Sequence, residues 1–131
     1  MKRTPEKQIS DLFQSLSALP RLQMVQALKY GEACVCHLET MLGYRQAYIS
    51  QHLMALRKAG VVVTRREGRN VFYRLANPDL ADFLRQAGRY LGISDRELEA
   101  ESAAVLLTDC PCPHCDDDKE PASAPKTTAT P

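Results

Sequence analysis

Val61-Val62-Val63-Thr64-Arg65-Arg66, Glu67-Gly68-Arg69-Asn70 and Val71-Phe72-Tyr73-Arg74-Leu75 follow one another without a break, and this run decides the fold. Its two flanks are rich in β-branched and aromatic residues, and its middle carries turn chemistry. The spacing predicts a β-hairpin. Immediately upstream the apolar period changes. Ile49, Leu53 and Leu56 recur at helical spacing in a segment from about Arg45 to Ala59, with Gly60 as the stop.

Further upstream, a short helix is expected from about Cys36 to Leu42, ending at Gly43. Pro20 suits the first turn of another helix, where its missing N–H would have no partner anyway. Leu22, Val25 and Leu28 are its expected buried face, with Gly31 near its end. Ile9, Leu12, Phe13 and Leu16 mark one face of a first helix. Downstream of the hairpin, Asn77-Pro78 reads as N-cap and first helical residue. Leu80, Phe83, Leu84, Ala87 and Leu91 form the apolar face that follows. Ser94-Asp95-Arg96-Glu97 is a capping-box pattern for a last helix bearing Leu98, Val105 and Leu106. The order helix, turn, helix, basic hairpin defines a mainly α winged helix-turn-helix with a β-hairpin wing.

The chain of 131 residues is long enough for one domain. The expected division is a winged helix-turn-helix DNA-binding and dimerisation domain over residues 1–108, followed by a Cys-rich tail over 109–131. Beyond Cys115, three aspartates lead into a Pro/Ala/Thr-rich end that is expected to be disordered. With 6% aromatic residues and no Trp, the core must be aliphatic. No apolar run approaches the length of a membrane span. Met1-Lys2-Arg3-Thr4-Pro5-Glu6 leads into no signal-peptide core. A cytoplasmic protein without a membrane partner is the expectation.

Charge is unevenly placed. From Tyr44 to Arg74 there are seven basic residues and one acidic, a net of +6, whereas from Ser94 onward there are three basic and nine acidic, a net of −6. The middle suits a polyanion. If Ile49, Leu53 and Leu56 face the core, then Arg45, Gln46, Ala47, Ser50 and Gln51 lie near the exposed face of the second helix of the motif. Gln pairs with adenine, and Arg with guanine, through two hydrogen bonds in the major groove. Arg57 and Lys58, further along, are better placed for phosphate. Arg65, Arg66 and Arg69 at the hairpin tip would reach backbone or minor groove. His52 reads as a packing or phosphate contact.

Five cysteines fall in two tight clusters, Cys34-Val35-Cys36 and Cys110-Pro111-Cys112-Pro113-His114-Cys115. An odd, clustered set suits metal or redox chemistry better than a secreted disulfide framework. Thiolates favour thiophilic ions such as arsenite, cadmium, lead and zinc. In a regular helix, residues two apart point about 200° away from each other. Cys34 and Cys36 therefore cannot both grip one ion from a straight helix: either the helix starts after Cys36, or binding unwinds its first turn. The second option would distort the brace beneath the reading helix.

Leu19-Pro20-Arg21-Leu22, Ile49-Ser50-Gln51-His52-Leu53, Leu56-Arg57-Lys58-Ala59-Gly60-Val61 and Arg66-Glu67-Gly68-Arg69-Asn70-Val71-Phe72-Tyr73 together resemble the ArsR/SmtB family of bacterial metal-sensing repressors. Ala33-Cys34-Val35-Cys36-His37-Leu38 looks like that family's thiol box. The resemblance implies a homodimer built from the first and C-terminal helices, around Ile9 to Leu16 and Leu80 to Leu106. Twofold symmetry then implies a palindromic operator. It also implies a non-enzymatic repressor, released from double-stranded DNA when a thiophilic metal or metalloid binds. In this chain His37 stands where the box has Asp, and Glu39 stands where some arsenic sensors have a third Cys. The remaining donors are expected from Cys110, Cys112 and Cys115, in the same chain or its partner; His37 reads first as an exposed or capping residue and second as a nitrogen donor. The family's other common site uses His on the C-terminal helix, and none occurs from Pro78 to Thr108.

Rival readings remain for the thiols. A redox regulator of the same fold would form disulfides. A static zinc site would be structural, and the tail cysteines could be spectators. Cys112-Pro113-His114-Cys115 also matches the active-site tetrad of some thiol oxidoreductases. Here no strand precedes it, no helical pattern follows it, and Asp116 to Asp118 oppose a thiolate.

Overall fold

The computed structural model describes residues 3–106. Its elements in chain order are α1 (Pro5–Ser15), α2 (Leu19–Leu28), β1 (Ala33–Cys34), α3 (Val35–Leu42), α4 (Gln46–Lys58), β2 (Val62–Glu67), β3 (Asn70–Leu75), α5 (Asp79–Tyr90) and α6 (Asp95–Leu106). Local chemistry sets most of these boundaries. The Thr4 side chain accepts a hydrogen bond from the Lys7 amide at 3.1 Å and caps α1, with Pro5 in the first turn. Pro20 occupies the first turn of α2, and α3 stops at Gly43.

The end of α4 joins the reading helix to the wing. Gly60 adopts φ +80°. Its N–H donates to the Arg57 carbonyl at 3.0 Å, and the Val61 N–H donates to the Leu56 carbonyl at 2.9 Å. Those two bonds make a Schellman motif. Its customary apolar contact is supplied by Leu56 and Val61, both buried. The chain thus leaves α4 in a fixed direction and enters β2 one residue later.

β2 and β3 pair antiparallel from Val62↔Leu75 to Glu67↔Asn70, leaving Gly68-Arg69 as a two-residue turn. Gly68 has φ +64° and Arg69 does not share that sign. This is the pattern of a type II′ hairpin, which needs positive φ only at its first central residue. A third strand joins the sheet, in the order β1-β3-β2. β1 is two residues long and has no sequence signature. It pairs antiparallel with β3 in the register Ala33↔Tyr73 and Cys34↔Phe72.

The core lies where α2, α3 and α4 meet the base of the sheet. Met24, Val25, Leu28, Leu38, Ile49, Leu53, Leu56 and Val62 are its most deeply buried side chains. Truncating one of the central leucines, such as Leu53→Ala, would cost about 2–5 kcal/mol in lost transfer energy and cavity. On the far side, the Asn77 side chain accepts from the Asp79 amide at 2.9 Å and starts α5. The capping box closes reciprocally: Glu97 N–H donates to Ser94 Oγ at 3.1 Å, and Ser94 N–H to Glu97 Oε1 at 3.3 Å. α6 then crosses back onto α2, where Glu99 accepts from Lys29 Nζ at 3.3 Å and Tyr30 Oη at 2.8 Å. It also packs against α3.

The apolar faces of α1 and α5 are only partly covered within one chain. Leu12 and Leu16 pack inward, but Ile9 is 53% exposed and Phe13 55%. Phe83 and Leu91 are exposed as well. Among the described residues no layer beyond these helices covers the strip. Phe13 and Phe83 instead stack on each other at 6.1 Å, with 19° between ring planes. No helix among the described residues is long and apolar enough to cross a membrane. The 109–131 segment lies outside the described residues.

Candidate DNA-reading face and thiol pair

Ile49, Leu53 and Leu56 are fully buried, so α4 turns its opposite side outward. Arg45, Gln46, Ala47 and Gln51 are exposed there and Ser50 is half-buried. Arg45 is the N-cap residue, in extended backbone with φ −69° and ψ 152°. Arg57 and Lys58 occupy the last turn and are exposed. Two residues of this helix escaped the sequence reading. Met54 is exposed on the same stripe as Ala47 and Gln51, three and seven positions along. Tyr48 is also exposed in part. An apolar side chain on a reading helix is easily taken for core, because helical periodicity alone does not separate the two uses.

Tyr48 stands in an aromatic row on the side of α4 that meets α2. Its ring lies 5.2 Å from Tyr44 and meets His52 edge-on at 4.6 Å. Tyr44 donates to Gln23 Oε1 at 2.6 Å, and Arg21 Nε donates to His52 Nδ1 at 3.0 Å. His52 is therefore a packing residue that accepts a hydrogen bond. Burial, and then the Arg21 charge, push its pKa down.

Arg66 and Arg69 are exposed on the wing, Arg69 at its tip. Arg65 departs from expectation. It sits in the middle of β2 opposite Phe72, not at the tip, and its guanidinium turns back along the sheet. Nε and Nη2 donate to both carboxylate oxygens of Glu32 at 2.7–3.0 Å, and Nη1 donates to Glu67 at 2.8 Å. The guanidinium also lies 4.8 Å over the Phe72 ring. Strand alternation decides this outcome: Arg65 and Arg66 point to opposite faces, and only one can face away from the body of the protein. The Arg65 hydrogen bond, joined by its charge and that of Arg74, pulls the Glu32 carboxyl below its ordinary range.

Cys34 and Cys36 resolve their geometry in a way neither sequence-based option anticipated. The helix begins between them. Cys34 is the N-cap residue of α3, with φ −91° and ψ 170°, and belongs to strand β1, whereas Cys36 is already helical. The extended residue cancels the 200° divergence of a regular helix. The two Sγ atoms lie 3.3 Å apart, at the positive end of the α3 dipole. No unwinding is needed to bring both sulfurs to one ion. Among the described residues no group of three or more His, Cys, Asp or Glu stands ready to hold a metal. Cys36 is disulfide-bonded in this structure, so the pair fits a thiophilic ion in ligand type only once reduced, and two sulfurs fall short of the three or four donors such centres take. His37 lines a small hollow of about 70 Å³ with Tyr30, Glu32 and Met41. Cys110, Cys112 and Cys115 lie outside the described residues. A larger hollow of about 580 Å³, bordered by Arg3, Asp11, Arg21 and Lys58, is lined by neither cysteine.

A brace helix, a reading helix with a polar outer stripe and a basic wing together define a winged helix-turn-helix regulator of transcription. The profile of the bacterial regulatory protein, arsR family, matches residues 20–64. The chain is 38% identical over 92 residues to the HTH-type transcriptional repressor SmtB of Mycobacterium tuberculosis, covering 67% of this chain and 68% of that protein. It is 44% identical over 66 residues to the arsenical resistance operon repressor of Escherichia coli, covering 50% and 56%. A homodimeric winged helix-turn-helix DNA-binding domain from Mycobacterium bovis superposes with a TM-score of 0.61 at 27% identity, covering 70% and 90%. The chain belongs to the ArsR/SmtB family of winged helix-turn-helix transcriptional repressors. Members of this family are DNA-binding regulators, not enzymes.

Proposed function

We propose that this repressor binds a palindromic operator as a homodimer in the cytoplasm, and that a thiophilic metal or metalloid releases it. Arsenite, cadmium and lead suit the site best, and zinc shares its ligand preference. The observation that carries this is the 3.3 Å separation of the Cys34 and Cys36 sulfurs at the start of the brace helix. Cys110, Cys112 and Cys115 supply the missing donors. α6 supports that role: it lies against α3, and Cys110 follows its last residue, Leu106, by four positions.

Arg45, Gln46, Ala47, Ser50 and Gln51 read bases from α4, while Arg57, Arg66 and Arg69 hold phosphate or minor groove. The strip of Ile9, Phe13 and Phe83 is the twofold interface, in keeping with the homodimeric relative from Mycobacterium bovis.

The test is a mobility-shift titration of reduced protein with arsenite and with cadmium. Cys34→Ser combined with Cys36→Ser should bind operator normally and fail to release it. Loss of operator binding in that variant would make the thiols structural instead.

The sulfur proximity also suits a second reading, in which oxidation of the thiols releases the DNA. Release by peroxide in chelator-treated buffer, reversed by dithiothreitol, would favour it over the metal.

A further inference from the structure

The thiol pair is joined to two parts of the DNA-binding surface, the brace helix and the wing. The connection to the wing forms a closed ring of contacts. Cys34 is strand-paired with Phe72. Phe72 is strand-paired with Arg65, whose guanidinium also lies 4.8 Å over its ring. Arg65 holds both carboxylate oxygens of Glu32 at 2.7–3.0 Å. Glu32 precedes Cys34 by two residues, which closes the ring. Directly opposed residues in a sheet share a face, so Cys34, Phe72 and Arg65 stand in one row across all three strands. Arg74 adds a weaker contact to the same carboxylate, at 3.9 Å.

We infer that Glu32 is a positioning residue that couples the thiol pair to the wing. Its carboxylate fastens the start of the β1 segment to Arg65 on β2. A ligand that reorients the Cys34 and Cys36 sulfurs must move β1, and the Glu32–Arg65 clamp carries that movement into the β2–β3 hairpin. Arg66 and Arg69, the exposed cations of that hairpin, are thereby re-aimed. A two-residue strand alone is a weak lever, because it contributes few backbone hydrogen bonds. A bidentate carboxylate–guanidinium pair has a fixed geometry and transmits direction.

This inference rests on the proposed thiol-based release, and its test separates the two. Reduced wild-type protein and the Glu32→Gln variant are titrated with cadmium. Thiolate-to-metal absorbance reports uptake, ¹⁵N chemical shifts report the Phe72, Tyr73 and Arg69 amides, and fluorescence anisotropy reports operator affinity. In the wild type, cadmium should shift the wing amides and lower operator affinity by the roughly 5–150-fold typical of coupled sites. Glu32→Gln should take up cadmium equally, bind operator in its absence, and lose less than about threefold affinity on loading. Its amide shifts should stay confined to residues near Cys34. Arg65→Lys, which keeps the charge but not the two-pronged geometry, should uncouple in the same way and guards against a folding defect in the first variant. Glu32→Asp should restore part of the coupling. Equal cadmium uptake with equal loss of affinity in wild type and both clamp variants overturns the clamp and leaves metal release standing. Absence of thiolate absorbance in the wild type overturns both.

Discussion

Arg21 Nε donates a 3.0 Å hydrogen bond to His52 Nδ1, tying α2 to the reading helix. An imidazole nitrogen that accepts cannot carry a proton, so this contact exists only with neutral His52. Burial is the larger cause of its depressed pKa, and the Arg21 charge is the smaller. The stability contributed is complete above the ordinary imidazole value of about 6.5 and is lost as pH falls through the lower native value. The carboxylates with depressed values, Asp11, Glu32, Asp95 and Glu99, act in a more acidic window. Urea midpoints measured at pH 7.5 and pH 5.5 should fall for wild type. His52→Gln, whose amide oxygen still accepts from Arg21, should fall less. Parallel declines would remove His52 as the acid-sensitive group.

Gln51 and Arg66 should differ in kind when removed. Gln51→Ala should cost about 1–3 kcal/mol on the preferred operator and relax discrimination at one base pair. Arg66→Ala should weaken all sequences alike and reduce the salt slope of binding by about one. Anisotropy titrations over a panel of operator variants and salt concentrations would tell them apart. A uniform loss for Gln51→Ala would move it from base reading to backbone contact.

Phe13 lies 55% exposed and stacked on Phe83, which suits an interface better than open water. Phe13→Asp should convert a dimer to a monomer in sedimentation velocity and sharply weaken operator binding, with its circular dichroism spectrum unchanged. A dimer that survives the substitution would place the twofold contact elsewhere.

Truncation after Asp109 should lower the number of sulfurs that bind cadmium, read from the intensity of the thiolate charge-transfer band. Two donors from Cys34 and Cys36 do not complete a three- or four-coordinate centre, so affinity should fall with the count. An unchanged band would leave the tail cysteines without a part in sensing.

Element order and the inward face of α4 were legible because they depend on local rules. Ile49, Leu53 and Leu56 repeat at the helical period, and Asn77 and Ser94 carry capping chemistry. Gly60 and Gly68 stand where the chain needs positive φ. The exposed base-reading positions follow once the inward set is known. Arg65 illustrates where such reasoning runs out. Its charge and its place on the hairpin resemble those of Arg66, and strand alternation gives them different fates. Which face looks outward depends on Glu32, 33 positions away in sequence.

From the amino acids alone came the winged helix-turn-helix, its basic middle and acidic end, and the two cysteine clusters. All of these are periodicities, caps and compositions that short-range chemistry imposes. Folding supplied the rest: the pairing of Cys34 with Phe72, the helix start that brings two divergent sulfurs to 3.3 Å, and the Glu32–Arg65 clamp. Each depends on the approach of segments far apart along the chain, and no local periodicity encodes that approach.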